Sequence, residues 1–131
     1  RSFIFSTAPV PAAAAAAAAG IRFIQSPAGI DRRKQLFERI NLLNSPFAIR
    51  NPHFQSAIIP ILIGGEAGAV AAAAGLRERG IFVPAVRYPT VARGQARLRV
   101  TVTAADTAQD ISRLASALDT LRIPHSAFRN E

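Results

Sequence analysis

Residues 96–103 read Ala-Arg-Leu-Arg-Val-Thr-Val-Thr, a strict alternation of apolar and polar side chains. Successive side chains of a strand face opposite sides, so Ala96, Leu98, Val100 and Val102 form one face and Arg97, Arg99, Thr101 and Thr103 the other. That pattern predicts a strand with one face in a core and a cationic face opposite. Residues 81–87, Ile-Phe-Val-Pro-Ala-Val-Arg, are rich in β-branched and aromatic side chains and predict a second strand just before it. The joining segment, residues 88–95, contains Pro89, Thr90, Arg93 and Gly94 and is longer than a plain hairpin needs. A long polar loop beside a pair of arginines is a place to look for an anion site. Read from the residues alone, the same arginines are first of all solvated groups whose aliphatic stems lie along the sheet.

The rest of the chain supplies the elements that such a pair of strands needs as cover. Residues 1–8 form an extended lead with Phe3 and Phe5 on one side, ended by Pro9 and Pro11. Proline fits a first helical turn, where its missing N–H would have no partner, so a helix is expected over residues 11–25, with a small face of Ala14, Ala17, Ala18, Ile21 and Ile24. Ser26 and Pro27 repeat the start signal. Ile30, Leu36, Phe37, Ile40 and Leu43 then fall on one face of a second, amphipathic helix. After a loop over residues 44–55, residues 56–63 read as a buried strand, and Pro60 within it argues for an edge position or a bulge. Gly64 and Gly65 turn the chain into a helix over residues 66–79, with Gly80 as its left-handed cap. Thr107 and Asp110 form a capping box, with Asp in the place more often taken by Glu, ahead of Ile111, Leu114, Leu118 and Leu121 on a last helix. Pro124 closes that helix and residues 126–131 make a tail. The expected class is α/β in the two-layer α+β sense: a small, mainly antiparallel sheet covered by helices. Residues 1–26 would be an extended lead and an interdomain helix, and residues 27–131 a small domain.

Several functions are excluded by composition and spacing. The chain has 131 residues and a formal charge of +8, and every basic residue except Lys34 is an arginine. These arginines are spread along the whole length instead of forming a stripe interleaved with stacking aromatics, so nucleic acid is not the expected partner. An acidic surface on the rest of a larger protein accounts for the imbalance as well. There is no cysteine, hence no disulfide framework or thiolate metal site, which suits a reducing, cytoplasmic setting. No apolar run is long enough to cross a bilayer. His53 and His125 lack a second ligand at metal-binding spacing. The glycines at 64, 65 and 68 do not make a dinucleotide fingerprint. Lys34 stands beside Arg32 and Arg33 in a solvated run, unlike the desolvated setting that a Schiff-base lysine needs.

Two stretches carry a resemblance. VRYPTVARGQARLRVTVTAA, residues 86–105, and RSFIFSTAPVPAAAAAA, residues 1–17, resemble segments of the α-oxoamine synthases, and the likeness extends to about residue 121. That family consists of pyridoxal-phosphate-dependent enzymes of fold type I, which condense an amino acid with an acyl thioester and release carbon dioxide. Within it, the motifs look most like the branch that joins L-alanine to a pimeloyl thioester in biotin synthesis. The resemblance implies a C-terminal fragment. It carries Arg99 onto the position that grips the amino-acid carboxylate, a role suited to a planar guanidinium able to donate two parallel hydrogen bonds. It carries Thr90 onto a substrate-contacting threonine, and Arg87 onto a weaker candidate for the far carboxylate of the acyl chain or the phosphates of the thioester, or for a structural ion pair. Arg97 is read as structural. Ser6 and Thr7 match a hydroxyl pair that holds the cofactor phosphate of a neighbouring subunit, or they simply turn the chain before Pro9. The expected cofactor, pyridoxal phosphate, would be bound mainly by parts of the enzyme outside this chain. The expected partners are amino-acid and acyl-thioester substrates and, for the parent enzyme, a second subunit in a homodimer, with no membrane. The cofactor lysine is not in these residues, so the chain alone is expected to be inactive. Two positions depart from the family pattern: Ala92 stands where proline is usual, and Asp106 where histidine is usual. A glycine C-acetyltransferase or 5-aminolevulinate synthase relative, and a small-molecule-binding regulatory module without catalysis, are the alternatives.

Overall fold

The computed structural model describes residues 8–44 and 56–121. The chain divides into two compact units, Arg1–Lys34 and Gln35–Glu131, with the division inside the second helix. Among the described residues, no helix is long and apolar enough to cross a membrane.

In the first unit, α1 (Pro11–Gln25) opens with proline in its first turn, as the sequence predicts. Ser26 then serves two helices. Its hydroxyl donates to the Phe23 carbonyl at 2.6 Å and accepts the Gly29 amide at 3.2 Å, so it closes α1 and opens α2 (Pro27–Asn44). Gly29 is buried at this corner, and a Cβ there would collide with the Phe23 carbonyl and the Ile24 backbone. The expected small face of α1 buries nothing: every residue of the helix is exposed except Ala18, which is half-buried.

In the second unit, the order β1 (Ile58–Gly64), α3 (Glu66–Glu78), β2 (Ala85–Val86), β3 (Ala96–Thr101), α4 (Ala108–Thr120) matches the expected succession. The strands form one antiparallel sheet in the order β1-β3-β2. The alternating segment is therefore the central strand. Leu98 and Val100 lie opposite Ile61 and Ile59 of β1, all of them buried. Leu76 of α3 and Ile111, Leu114 and Leu118 of α4 close over that face. Leu36, Ile40 and Leu43 of α2 join the same cluster, but Phe37 remains 41% exposed, so the buried stripe of this part of α2 is narrower than its sequence suggests. Each fully buried Leu or Ile contributes about 1.5–3 kcal/mol by removal from water.

Three boundaries differ from expectation. The predicted strand over residues 81–87 pairs only at Ala85 and Val86, because proline at 84 brings no N–H to a ladder; its carbonyl nevertheless accepts the Arg99 amide at 3.0 Å. β1 starts at Ile58, not at residue 56, and slips register between Leu62 and Gly64, where Gly64 takes a positive φ of 88°. Finally, α3 ends one residue early, at Glu78, and Gly80 follows with φ 75°, as a left-handed cap requires. The lead over residues 1–7, most of the loop with His53, and the tail with Pro124 and His125 lie outside the described residues.

Candidate functional site

The face of the sheet away from the core is where the candidate residues lie. Arg97, Arg99 and Thr101 project from β3 on that side, flanked by Pro60 and Leu62 of β1 and Val86 of β2. Arg97 is committed locally: its Nε donates to the Gln95 carbonyl at 3.0 Å and one terminal nitrogen reaches the Gln95 side-chain oxygen at 3.4 Å. Such a fixed, half-buried arginine fits the structural role read from the sequence. Arg99, two residues on, is exposed, and among the described residues its guanidinium makes no hydrogen bond to another side chain or carbonyl. Its backbone amide, by contrast, is held by the Pro84 carbonyl, in the central strand of the sheet. The result is a fixed anchor carrying a free five-donor fork.

Arg99 also lines a groove of about 400 Å³ that runs between residues 80–84, the second half of β3 and the first turns of α4. Phe82, Val102, Asp106, Asp110 and Arg113 line it too. Both carboxylates are already engaged with neighbours. Asp106 accepts the Thr103 amide at 2.6 Å, while Asp110 accepts the amide and hydroxyl of Thr107 at 3.0 and 2.6 Å, completing the expected capping box of α4. The Thr107 hydroxyl and amide hold the Asp110 carboxyl below its ordinary pKa, with a smaller contribution from the Arg113 charge. Arg99 and Arg113 thus share the groove with two carboxylates.

The loop over residues 88–95 makes a second cluster. Two successive turns build it. The Thr90 amide donates to the Arg87 carbonyl at 2.9 Å and the Gln95 amide to the Ala92 carbonyl at 3.1 Å; the Tyr88–Pro89 bond is cis and Gly94 has φ 77°. Arg87 and Thr90 are therefore neighbours, both exposed. Neither reaches the groove that Arg99 lines. Three strand residues at 3.3–3.4 Å each, about 10 Å, separate Arg99 from the loop end of β3.

One feature of this loop escaped the sequence: the Arg93 guanidinium lies over the Tyr88 ring, 4.3 Å from its centroid. The two residues stand five apart around a proline turn, a spacing with no helical or strand periodicity to flag it. Arg77 lies similarly over Phe82, at 5.2 Å. Lys34 is exposed on α2, and among the described residues no buried side chain is polar or charged and no cluster could hold a metal. Ser6 and Thr7 lie outside the described residues.

The small antiparallel sheet covered by helices is shared with pyridoxal-phosphate enzymes of fold type I. The serine palmitoyltransferase of Sphingomonas wittichii matches with a TM-score of 0.74 at 25% identity, over 95% of this chain and 32% of that one. The enzyme from S. paucimobilis carrying a PLP–myriocin aldimine matches in fold with a TM-score of 0.75 at 19% identity, over 92% and 32%. In sequence, the chain is similar to a C-terminal segment of 8-amino-7-oxononanoate synthase. It is 48% identical over 120 residues to a putative 8-amino-7-oxononanoate synthase of Desulfovibrio desulfuricans, covering 90% of this chain and 31% of the relative. It is 45% identical over 124 residues to the 8-amino-7-oxononanoate synthase of Citrobacter koseri, covering 91% and 32%. A bifunctional biotin-biosynthesis protein of Corynebacterium kroppenstedtii is 43% identical over 131 residues, covering 97% and 18%. The chain spans about a third of the length of the single-function relatives it matches. No family model matches it.

Proposed function

We propose that this chain is the substrate-gripping C-terminal part of a pyridoxal-phosphate-dependent acyltransferase that condenses L-alanine with a pimeloyl thioester, with loss of carbon dioxide, to give 8-amino-7-oxononanoate. The observation that carries this reading is Arg99: a guanidinium free of partners among the described residues, on the central strand with its amide held by Pro84, at the open face of the sheet. Its fork binds the alanine carboxylate through two parallel hydrogen bonds and so fixes the rotation of the bond that leaves the α-carbon. Thr90 contacts the substrate from the loop, with Arg87 beside it. Pyridoxal phosphate, when bound, supplies the electron sink for that bond.

The described residues do not fit the cofactor's own site. The only lysine, Lys34, is exposed on α2 between Arg33 and Gln35, not in the desolvated pocket that an imine-forming lysine needs. The cofactor is therefore held mainly by other parts of such an enzyme, with Ser6 and Thr7 reaching its phosphate from a neighbouring subunit of a homodimer. Residues 1–26 act as lead and interdomain helix, and residues 27–131 as the small domain. Alone, the chain forms no imine and is inactive.

The test is a chimera. This chain replaces the corresponding segment of the Citrobacter koseri relative, and the purified protein is assayed with L-alanine and a pimeloyl thioester. Turnover that is lost on Arg99→Gln supports the reading. A chimera that folds, binds pyridoxal phosphate and turns over equally with Arg99→Gln refutes it.

A further inference from the structure

We infer that Arg93, stacked on Tyr88, is the receptor for the terminal carboxylate of the acyl substrate, an inference that rests on the function proposed above. A guanidinium lying flat over a ring spends its face on the π system and keeps its N–H donors in plane, pointing away from the ring edge. Arg93 is held in this way at 4.3 Å from the Tyr88 centroid, is exposed, and makes no hydrogen bond among the described residues. Stacking restricts the rotamers of an otherwise floppy side chain, so less freedom is lost when a carboxylate docks on the free edge. The partner it suits is a planar anion taken bidentately, a carboxylate.

The spacing fits a substrate with acid groups at both ends of its reacting framework. Arg99 takes one carboxylate, and about 10 Å of strand lies between it and the loop that presents Arg93. Joined through alanine's α-carbon, the alanine carboxyl carbon and the far carboxyl carbon of a seven-carbon acyl group lie eight C–C bonds apart, about 10 Å when extended at lengths near 1.5 Å. A monocarboxylic acyl chain of equal length would leave Arg93 without a partner, so the pair would select an acyl group ending in a carboxylate over a plain fatty acyl group. Arg87 lies in the same loop, but it has no aromatic platform and its side chain is not held in place by any hydrogen bond among the described residues.

Tyr88 is the only tyrosine of the chain and there is no tryptophan, so ultraviolet fluorescence reports on this pair alone. The chain is titrated with the monoamide of heptanedioate, which keeps only the far carboxylate, and with heptanamide, which has none. The monoamide should change Tyr88 emission saturably, heptanamide should not, and Arg93→Gln should weaken the monoamide response about tenfold or more. Arg93→Lys, which keeps the charge but loses the fork, should fall between. Equal responses to the two amides, an unchanged response in Arg93→Gln, or a response abolished by Arg87→Gln instead would each overturn the assignment. The chimera separates the two ideas: turnover that is lost on Arg99→Gln, with a Tyr88 that stays silent, sinks the Arg93 receptor and leaves the proposed function standing. A Tyr88 response beside a chimera indifferent to Arg99→Gln leaves a carboxylate site at Arg93 and sinks the proposed function.

Discussion

Arg99 stands opposite Pro60 across the β1–β3 ladder, yet its amide donates to the Pro84 carbonyl on the other side of the strand. In an antiparallel pair both polar groups of a residue point the same way, so Pro60 and Arg99 form a non-hydrogen-bonded pair with close side chains. The nitrogen of Pro60 then faces the free edge of β1, where a missing N–H costs nothing. Pro60→Ala is expected to change stability by less than about 1 kcal/mol. Urea unfolding checks this, and a loss of several kcal/mol would contradict the register.

Arg99→Lys separates charge from geometry. Lysine keeps the positive charge on the same fixed backbone but offers a point donor in place of a planar fork. In the chimera the expected result is retained folding, with kcat/KM for L-alanine lowered by about 10-fold to 100-fold, as the loss of one charge-assisted hydrogen bond of about 1.5–3 kcal/mol implies. Steady-state kinetics decide it, and an undiminished lysine variant would show that orientation by the fork is not used.

The opposite face of the same strand responds to different physics. Leu98 is fully buried between Ile61 and the helices, so Leu98→Ala should cost about 2–5 kcal/mol in chemical denaturation. Thr101, two pairs from Arg97 on the open face, should tolerate alanine within about 0.5 kcal/mol.

That contrast explains how much of the molecule could be read from its residues. Period-two alternation exposed β3 and its two faces because burial on one side imposes it. The Thr107–Asp110 box and the Ser26–Pro27 junction were legible because caps need specific side chains at fixed spacing. What the residues could not reveal was set by tertiary context. Phe37 shares the helical face of Ile40, yet it is exposed while Leu36, Ile40 and Leu43 meet the sheet cluster. Phe82 sits in an apolar run that reads as strand but is exposed under Arg77. The Arg99 role came from resemblance, since spacing alone gives a solvated arginine, and the Arg93–Tyr88 stack depends on a turn with no periodic signature.

Gly29 sets two local effects against each other. It lies inside α2, where alanine normally gains up to about 1 kcal/mol over glycine in helix propensity. Here a Cβ would run into the Phe23 carbonyl and the Ile24 backbone, which are chain atoms that cannot rotate aside. The collision wins, and Gly29→Ala should open the α1–α2 corner at a net cost of about 1–3 kcal/mol. Faster amide hydrogen exchange in α1, measured against the parent chain, is the readout; slower exchange would mean that the corner is looser than its geometry.

Acid stability should report on the cap of α4. The Thr107 hydroxyl and amide depress the Asp110 pKa below its ordinary 3.8. A carboxyl with a lowered folded pKa contributes stability that is fully present above its unfolded value and is lost as pH falls through the folded one. Unfolding midpoints should therefore be level from neutral pH down to about 4 as far as this group is concerned, and should drop below that. Asp110→Asn should flatten that acid slope, because it removes the titrating group while keeping an oxygen that can still accept the Thr107 amide. Thr107→Ala should cost about 1 kcal/mol at neutral pH, the usual effect of losing an N-cap side chain, and should also flatten the slope, because the hydroxyl that most depresses the carboxyl is gone. Thermal unfolding of the three proteins between pH 2 and 7 is the measurement. A parent slope that survives in both variants would place the acid-sensitive group elsewhere than this cap.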